Sequence, residues 1–240
     1  MLERLPLTVL FDYAAAFPSV AHKWLRSILR KIKIPKGWLN AFNSLYTGSE
    51  AYTNVGGLLR WLFSVKCGVL QGCPVSGSLF VIAIDPLLTL FEHYIHNPLL
   101  GLITACADDI GTALKGLNTL KLLYKHFERY RKVSGLCLKP SKCIAIVLGA
   151  ALNADNIRII KAWLADNIPE WKHFELASSG KYLGIHLGPK VGGSNWQAPL
   201  DKAWIRVEDI SDMKAPLPYA SALFSSKALS VVGYVFVEYG

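Results

Sequence analysis

Cysteine is scarce and unpatterned in this chain: five residues in 240, with no Cys-x-x-Cys pair and no histidine at ligand spacing. That excludes a zinc ribbon and a disulfide framework, and reduced thiols are expected. Long apolar runs are also lacking. The greasiest stretch, residues 79–91, is interrupted by Asp85 and Pro86 and falls short of the ~20 residues that cross a bilayer, so no membrane association is expected. The N-terminus carries no signal-peptide core, which points to an intracellular location, nucleus or cytoplasm, rather than secretion. No Gly-x-x-x-x-Gly-Lys-[Ser/Thr] loop and no strand-linked Gly-x-Gly-x-x-Gly turn occurs, so a doubly wound nucleotide fold is not expected. There are no internal repeats.

What is present is apolar and basic. Hydrophobic residues make up 52% and mean hydropathy is +0.31, which argues against disorder. The excess implies a large core, together with surface meant to be covered by another domain. Lysine and arginine outnumber the acids 26 to 17, for a net charge of +9, which favours a polyanionic partner through counterion release.

Periodicity gives an element order. Residues 7–13 alternate and read as a strand that delivers Asp12 near its end. Pro18-Ser19 opens a helix with Trp24, Leu25, Ile28, Leu29 and Ile32 on one face. A second helix, near residues 37–46, is expected to bury Trp38, Leu39, Phe42 and Leu45. Gly56-Gly57 marks a hairpin within 51–65. A turn-rich loop at 68–74 leads into a helix over 75–95 that Pro86 should kink or break. Residues 102–114 read as strand, tight turn at Asp108-Asp109, and returning strand. A basic helix over 117–133 ends at Ser134-Gly135. A strand at 143–148, a helix at 155–167 and a β-like run at 181–187 follow. Residues 189–195 read as a Gly-rich linker to mixed helical pieces. Strand, helices, hairpin, helix and strand in this order predict an α+β fold, an antiparallel sheet with helices packed on one face.

Asp12 and the pair Asp108-Asp109 stand at strand ends in strongly apolar surroundings, where unpaired carboxylates are costly to bury. A hard divalent cation such as Mg²⁺ relieves that cost through oxygen ligands. Taken alone, Asp108-Asp109 reads rather as a plain hairpin turn and Asp12 as a strand-end or cap residue.

The flanking residues add a resemblance. Phe11-Asp-Tyr-Ala-Ala-Ala-Phe-Pro-Ser-Val20 resembles the first palm motif of reverse transcriptases. Cys67-Gly-Val-Leu-Gln-Gly-Cys-Pro-Val-Ser-Gly-Ser-Leu-Phe80 resembles the second, and Ala105-Cys-Ala-Asp-Asp109 the third, with Cys106 where an aromatic is usual. Ser134-Gly-Leu-Cys-Leu-Lys-Pro-Ser-Lys142 resembles the fourth. Lys181-Tyr-Leu-Gly-Ile185 is similar to the Tyr-Leu-Gly element that follows the palm in non-long-terminal-repeat (LINE-type) retrotransposon enzymes. The motifs stand in family order; Ala15 and Pro18 depart from the lysine and aspartate common in the LINE form of the first.

The resemblance implies an RNA-directed DNA polymerase palm over residues 1–188, then a linker and partial thumb-like helical region over 189–240. It implies two Mg²⁺ ions, or Mn²⁺, held by Asp12, Asp108, Asp109 and the Tyr13 backbone carbonyl. Ala16, Phe17, Gln71 and Gly72 are implied to line the nucleotide pocket, with Phe17 as the steric gate against a 2′-hydroxyl. Lys142 is implied to give charge or a proton to the departing pyrophosphate. The implied partners are an RNA template, a DNA primer and deoxynucleoside triphosphates. Lys121, Lys125 and Arg129 read either as a phosphate-tracking stripe or as a solvated helix face. Only eleven residues precede Asp12, too few for a fingers segment, so the chain is expected to be inactive by itself. The alternatives are a repurposed retroelement fragment that only binds nucleic acid or protein, and a metal-dependent phosphodiesterase, which would want further acidic or histidine ligands.

Overall fold

The computed structural model describes residues 2–70, 72–96, 98–189, 191 and 194–233, the side chain of Ser194 excepted. They divide into two compact units, residues 1–177 and 178–240.

The first unit is built on a five-stranded sheet. In chain order its elements are β1 (Leu7–Phe11), the single turn α1 (Ala16–Ser19), α2 (His22–Lys31), α3 (Lys36–Tyr46), the hairpin β2 (Glu50–Val55) and β3 (Leu58–Ser64), and α4 (Ser76–Phe91). They continue with β4 (Gly101–Cys106), β5 (Asp109–Leu114), α5 (Thr119–Ser134), β6 (Ile144–Val147), α6 (Ala154–Asn167) and β7 (Glu175–Ala177). The sheet order is β4-β5-β1-β6-β7. It is antiparallel except for β7, which runs parallel to β6, so the expected α+β sheet is mixed at one edge.

Alternation along the strands gives the sheet two different faces. Leu7, Val9, Phe11 and Tyr13 point to one side and are buried, as are Ile110, Leu114, Ala145 and Val147. Against them pack Phe80, Ile84, Leu87 and Phe91 of α4 and Leu120, Leu123, Phe127 and Tyr130 of α5. Phe11 lies 4.9 Å from Phe127, 5.6 Å from Trp171 and 6.1 Å from Phe174, ring centre to ring centre. Such pairs add about 0.5–1.5 kcal/mol each beyond area burial, and they fix the strand segment immediately before Asp12.

Several expectations need correction. Pro86 does not interrupt its helix: α4 runs through it and continues as a π-helical turn, Glu92–His96. The combined 21-residue stretch is long and apolar enough to cross a membrane by length and composition, but Phe80, Ile84, Leu87, Phe91 and Ile95 are buried in the core. In α2 and α3 the apolar faces are narrower than the sequence pattern predicts. Ile32, Trp38 and Leu45 are 53%, 60% and 43% exposed, while Phe42 and Tyr46 are buried. Periodicity marks an apolar stripe, but the width of stripe that is covered depends on what packs there.

The second unit begins at residue 178 rather than after 188. It holds the small hairpin β8 (Gly180–Tyr182) and β9 (Ile185–Leu187), then α7 (Ser194–Asp212), α8 (Leu217–Leu223) and a π-helical segment, Phe224–Leu229. The Tyr-Leu-Gly element therefore groups with the helices that follow it. Asn195 ties them together: its Oδ1 accepts from the His186 N–H at 2.6 Å, and its Nδ2 donates to the His186 carbonyl at 3.0 Å. Asn195, assigned to a linker by sequence, is thus already helical; Lys190, Gly192 and Gly193 of that linker lie outside the described residues, as does the terminal segment 234–240.

Candidate active site

The acids meet because of strand register. In β1 and β5, Leu10 faces Gly111 and Phe11 faces Ile110, so one further step sets Asp12 opposite Asp109. Asp109 is itself paired with Cys106 across the β4–β5 turn. On the other side of β1 the ladder with β6 ends at Leu10 and Ile144, and the turn before β6 brings Lys142 beside Asp12. A row Cys106, Asp109, Asp12, Lys142 results, on the sheet face opposite α4 and α5. The Lys142 Nζ lies 4.0 Å from Asp12 Oδ1, with both side chains about half exposed. That exposure makes the pair weak as a stability element.

The turn differs in one respect from the sequence expectation. Its two central residues are Ala107 and Asp108, and Asp109 is already the first residue of β5. Ala107 has φ +52°, a left-handed conformation that a residue with a Cβ adopts at a cost of roughly 1–2 kcal/mol. The hairpin thereby aims Asp108 and Asp109 from two successive positions toward the end of β1.

Electrostatics agree with the register. Desolvation, followed by the charges of Asp108 and Asp12, pushes the Asp109 carboxyl above its ordinary range. Partial burial beside two like charges favours either a proton or a cation at Asp109. Among the described residues no three His, Cys, Asp or Glu side chains stand close enough to form a ready-made metal cage. The donor chemistry nevertheless fits a hard divalent ion, since every acid in the cluster offers carboxylate oxygen.

Behind the row, the segment after α5 clamps the end of β1. Tyr13 and Leu138 form an antiparallel bridge, flanked by Ala14 N–H to the Cys137 carbonyl and Lys139 N–H to the Asp12 carbonyl, both at 2.8 Å. Backbone groups alternate sides along a strand, so the Tyr13 carbonyl is directed away from this clamp, toward the β4–β5 turn. That direction is compatible with the metal-facing role the resemblance implies. Cys143 completes the clamp: the Asp12 N–H donates to its Sγ at 3.4 Å. Burial pushes the Cys143 thiol up to about 12, so it stays a neutral packing and hydrogen-bonding group. No sequence signal pointed to Cys143, because its role exists only through a contact across 131 positions.

The first and second motifs are joined by backbone bonds. Gly68 N–H donates to the Val20 carbonyl at 2.8 Å, Val69 N–H to the Phe17 carbonyl at 3.0 Å, and His22 N–H to the Lys66 carbonyl at 3.0 Å. Ala16 is buried; Phe17 is partly buried and stacked on fully buried Phe80, ring centres 4.6 Å apart at 16°. Gly72 has φ +81°, and a Cβ there would meet nothing within 4 Å, so the backbone borders open space. Gln71 lies outside the described residues.

Lys121, Lys125 and Arg129 are not brought to the acids. They stand on α5, which packs on the opposite face of the sheet. Lys121 lies 4.0 Å from Glu3 and 5.2 Å over the Trp163 ring.

Residues 4–187 match the family described as reverse transcriptase (RNA-dependent DNA polymerase). The chain belongs to that family. Among curated proteins it is 24% identical over 205 residues to the transposon TX1 uncharacterized 149 kDa protein of Xenopus laevis, a match covering 82% of this chain and 14% of that one. It is 29% identical over 182 residues to the Pol polyprotein of the type-2 retrotransposable element R2DM of Drosophila melanogaster, covering 73% and 17%. Both relatives come from mobile elements, in line with the LINE-type resemblance, and the chain spans less than a fifth of the length of either. Among solved structures, telomerase from Candida tropicalis in complex with a TWJ fragment of telomeric RNA superposes with a TM-score of 0.60 at 12% identity, covering 98% of this chain and 39% of that one. At that identity the likeness concerns the fold.

Proposed function

We propose that this chain is the palm portion of an RNA-directed DNA polymerase, adding deoxynucleotides to a primer 3′-hydroxyl on an RNA template. The observation that carries the reading is the convergence of Asp12, Asp108 and Asp109 at one sheet end, where desolvation, and then the charges of the first two, raise the third's affinity for a proton. Family membership supports the chemistry, and the RNA-bound telomerase neighbour supports a nucleic-acid partner.

In this reading Asp12 and Asp108 hold two Mg²⁺ ions, Asp109 completes the negative charge, and the Tyr13 carbonyl adds an oxygen. Such ions, when bound, activate the attacking hydroxyl and neutralise charge on the leaving group. The chain's own contribution is positioning, which dominates phosphoryl-transfer catalysis. The clamp from Cys137, Lys139 and Cys143 fixes Asp12. Phe17, held flat against Phe80, presents a rigid ring edge at the sugar, and Gly72, where a Cβ would meet nothing within 4 Å, leaves room for the nucleotide. Lys142 beside Asp12 supplies positive charge where pyrophosphate departs.

Primer extension tests this, with an annealed RNA template and DNA primer, deoxynucleoside triphosphates and Mg²⁺. Asp108→Ala is expected to reduce extension at least ~100-fold, a loss of about 2.7 kcal/mol of transition-state stabilisation. Equal extension by both chains would defeat the assignment. So would the absence of Mg²⁺-dependent extension from the chain joined to a fingers segment of a related reverse transcriptase.

A further inference from the structure

The two edges of the main sheet are treated very differently. At one edge β7 is only three residues long and begins with the exposed Glu175, short and charged in the way that discourages added strands. At the other edge β4 is six residues, Gly-Leu-Ile-Thr-Ala-Cys, with no charge and no proline. Lys115 N–H donates to the Leu100 carbonyl at 2.8 Å, which makes residues 100 and 115 a hydrogen-bonded pair. In the register of this pair, Leu102, Thr104 and Cys106 then bond inward to β5, and the backbone groups of Ile103 and Ala105 point outward. Both outward pairs are without a hydrogen-bond partner among the described residues.

This edge forms one wall of a groove of about 410 Å³, whose other wall is α4 and the turn after it, with Asp85, Leu88, Thr89, Glu92 and His96. A second, apolar hollow of about 320 Å³ continues along β4 past His96 and Leu102 to Leu99 and Leu148. Asp85 and Glu92 are exposed, form no ion pair among the described residues, and no lysine or arginine lines the larger groove. In a chain of net charge +9, that is a local acidic trough beside an open hydrogen-bonding edge.

We infer that β4 is a docking edge for an extended basic peptide segment of a protein partner, which adds a strand along Ile103 and Ala105 and sets alternate lysines or arginines toward Asp85 and Glu92. Strand addition of this kind takes affinity from the backbone and specificity from alternate side chains. A nucleic-acid strand is disfavoured by the two carboxylates. A second copy of this chain is disfavoured as well: its β4 carries no basic residue, and edge-to-edge pairing would bring two acidic troughs together. The inference is independent of the polymerase reading.

The probe is a fluorescein-labelled Lys-Val-Arg-Val-Lys-Val peptide, titrated into the full chain and followed by anisotropy and by amide hydrogen exchange. Saturable binding is expected, with new protection at the Ile103 and Ala105 amides. The double variant Asp85→Lys, Glu92→Lys is expected to bind at least ten-fold more weakly; both positions are exposed, so the fold is retained. The same peptide N-methylated at alternate residues is expected not to bind the unaltered chain. The idea is overturned by no binding of the basic peptide, by equal binding of a Glu-Val-Glu-Val-Glu-Val peptide, or by binding without protection at 103 and 105. It is also overturned if the chain dimerises through β4, seen as self-association that Ile103→Pro abolishes.

Discussion

At the scale of single residues, Tyr13 carries an unusual burden. Its hydroxyl is buried with no hydrogen-bond partner among the described residues, and desolvation, with Tyr130, Cys143 and Asp108 nearby, holds its pKa well above the ordinary value. An unmade buried hydrogen bond costs about 1–3 kcal/mol. Tyr13→Phe keeps the ring against Phe127 and the backbone carbonyl, so it should stabilise the chain by about 1 kcal/mol, read as a higher urea midpoint with unchanged slope. Asp109 gives a pH prediction. Its carboxyl is raised in the folded chain, so in that window the folded state binds more protons than the unfolded state. The contribution is present below the ordinary aspartate value and is lost as pH rises through the folded one. Asp109→Asn should therefore flatten the fall in melting temperature as pH rises above the ordinary aspartate value, and, on the proposed two-ion reading, should weaken stabilisation by Mg²⁺ at neutral pH. An unchanged pH profile would refute the cluster.

At the scale of elements, the clamp on β1 depends on how α5 ends. Gly135 takes φ +80° at the C-cap, where left-handed geometry is needed to stop the helix. A Cβ there would stand 2.3 Å from the Ser19 carbonyl oxygen. Next to it, the Ala21 N–H donates to the Ser134 carbonyl at 2.7 Å, so the fourth motif is pinned to the first by close backbone approach. Gly135→Ala is expected to cost roughly 1–3 kcal/mol from conformation alone, with more from the clash, measured by chemical denaturation. It should also loosen Asp12, seen as faster hydrogen exchange at the Ala14 and Lys139 amides that close the bridge.

For the whole molecule, the division at residue 177 predicts that residues 1–177 fold without the remainder, since the sheet and all of its covering helices lie within them. That fragment should unfold in a single cooperative step, with a urea slope near 2–3 kcal/mol/M. A non-cooperative transition would show that the second unit is required. Much of this organisation was legible in sequence, because alternation, Gly-Gly turns and helix periodicity are local consequences of backbone geometry. The exposed apolar surfaces of α3 and of β2–β3 were not, since burial depends on what packs against a face. The candidate site divides in the same way. The sequence by itself determined which acids are available, that each stands at or beside the end of a strand, and in what order the motifs come. Only the tertiary structure decided that register sets Asp12 beside Asp109, that the turn before β6 brings Lys142 to it, that Cys143 supports it, that α5 turns its basic stripe away, and that β4 is left open. Those outcomes rest on pairing between segments far apart in the chain, such as Leu7 with Val147, which no local pattern encodes.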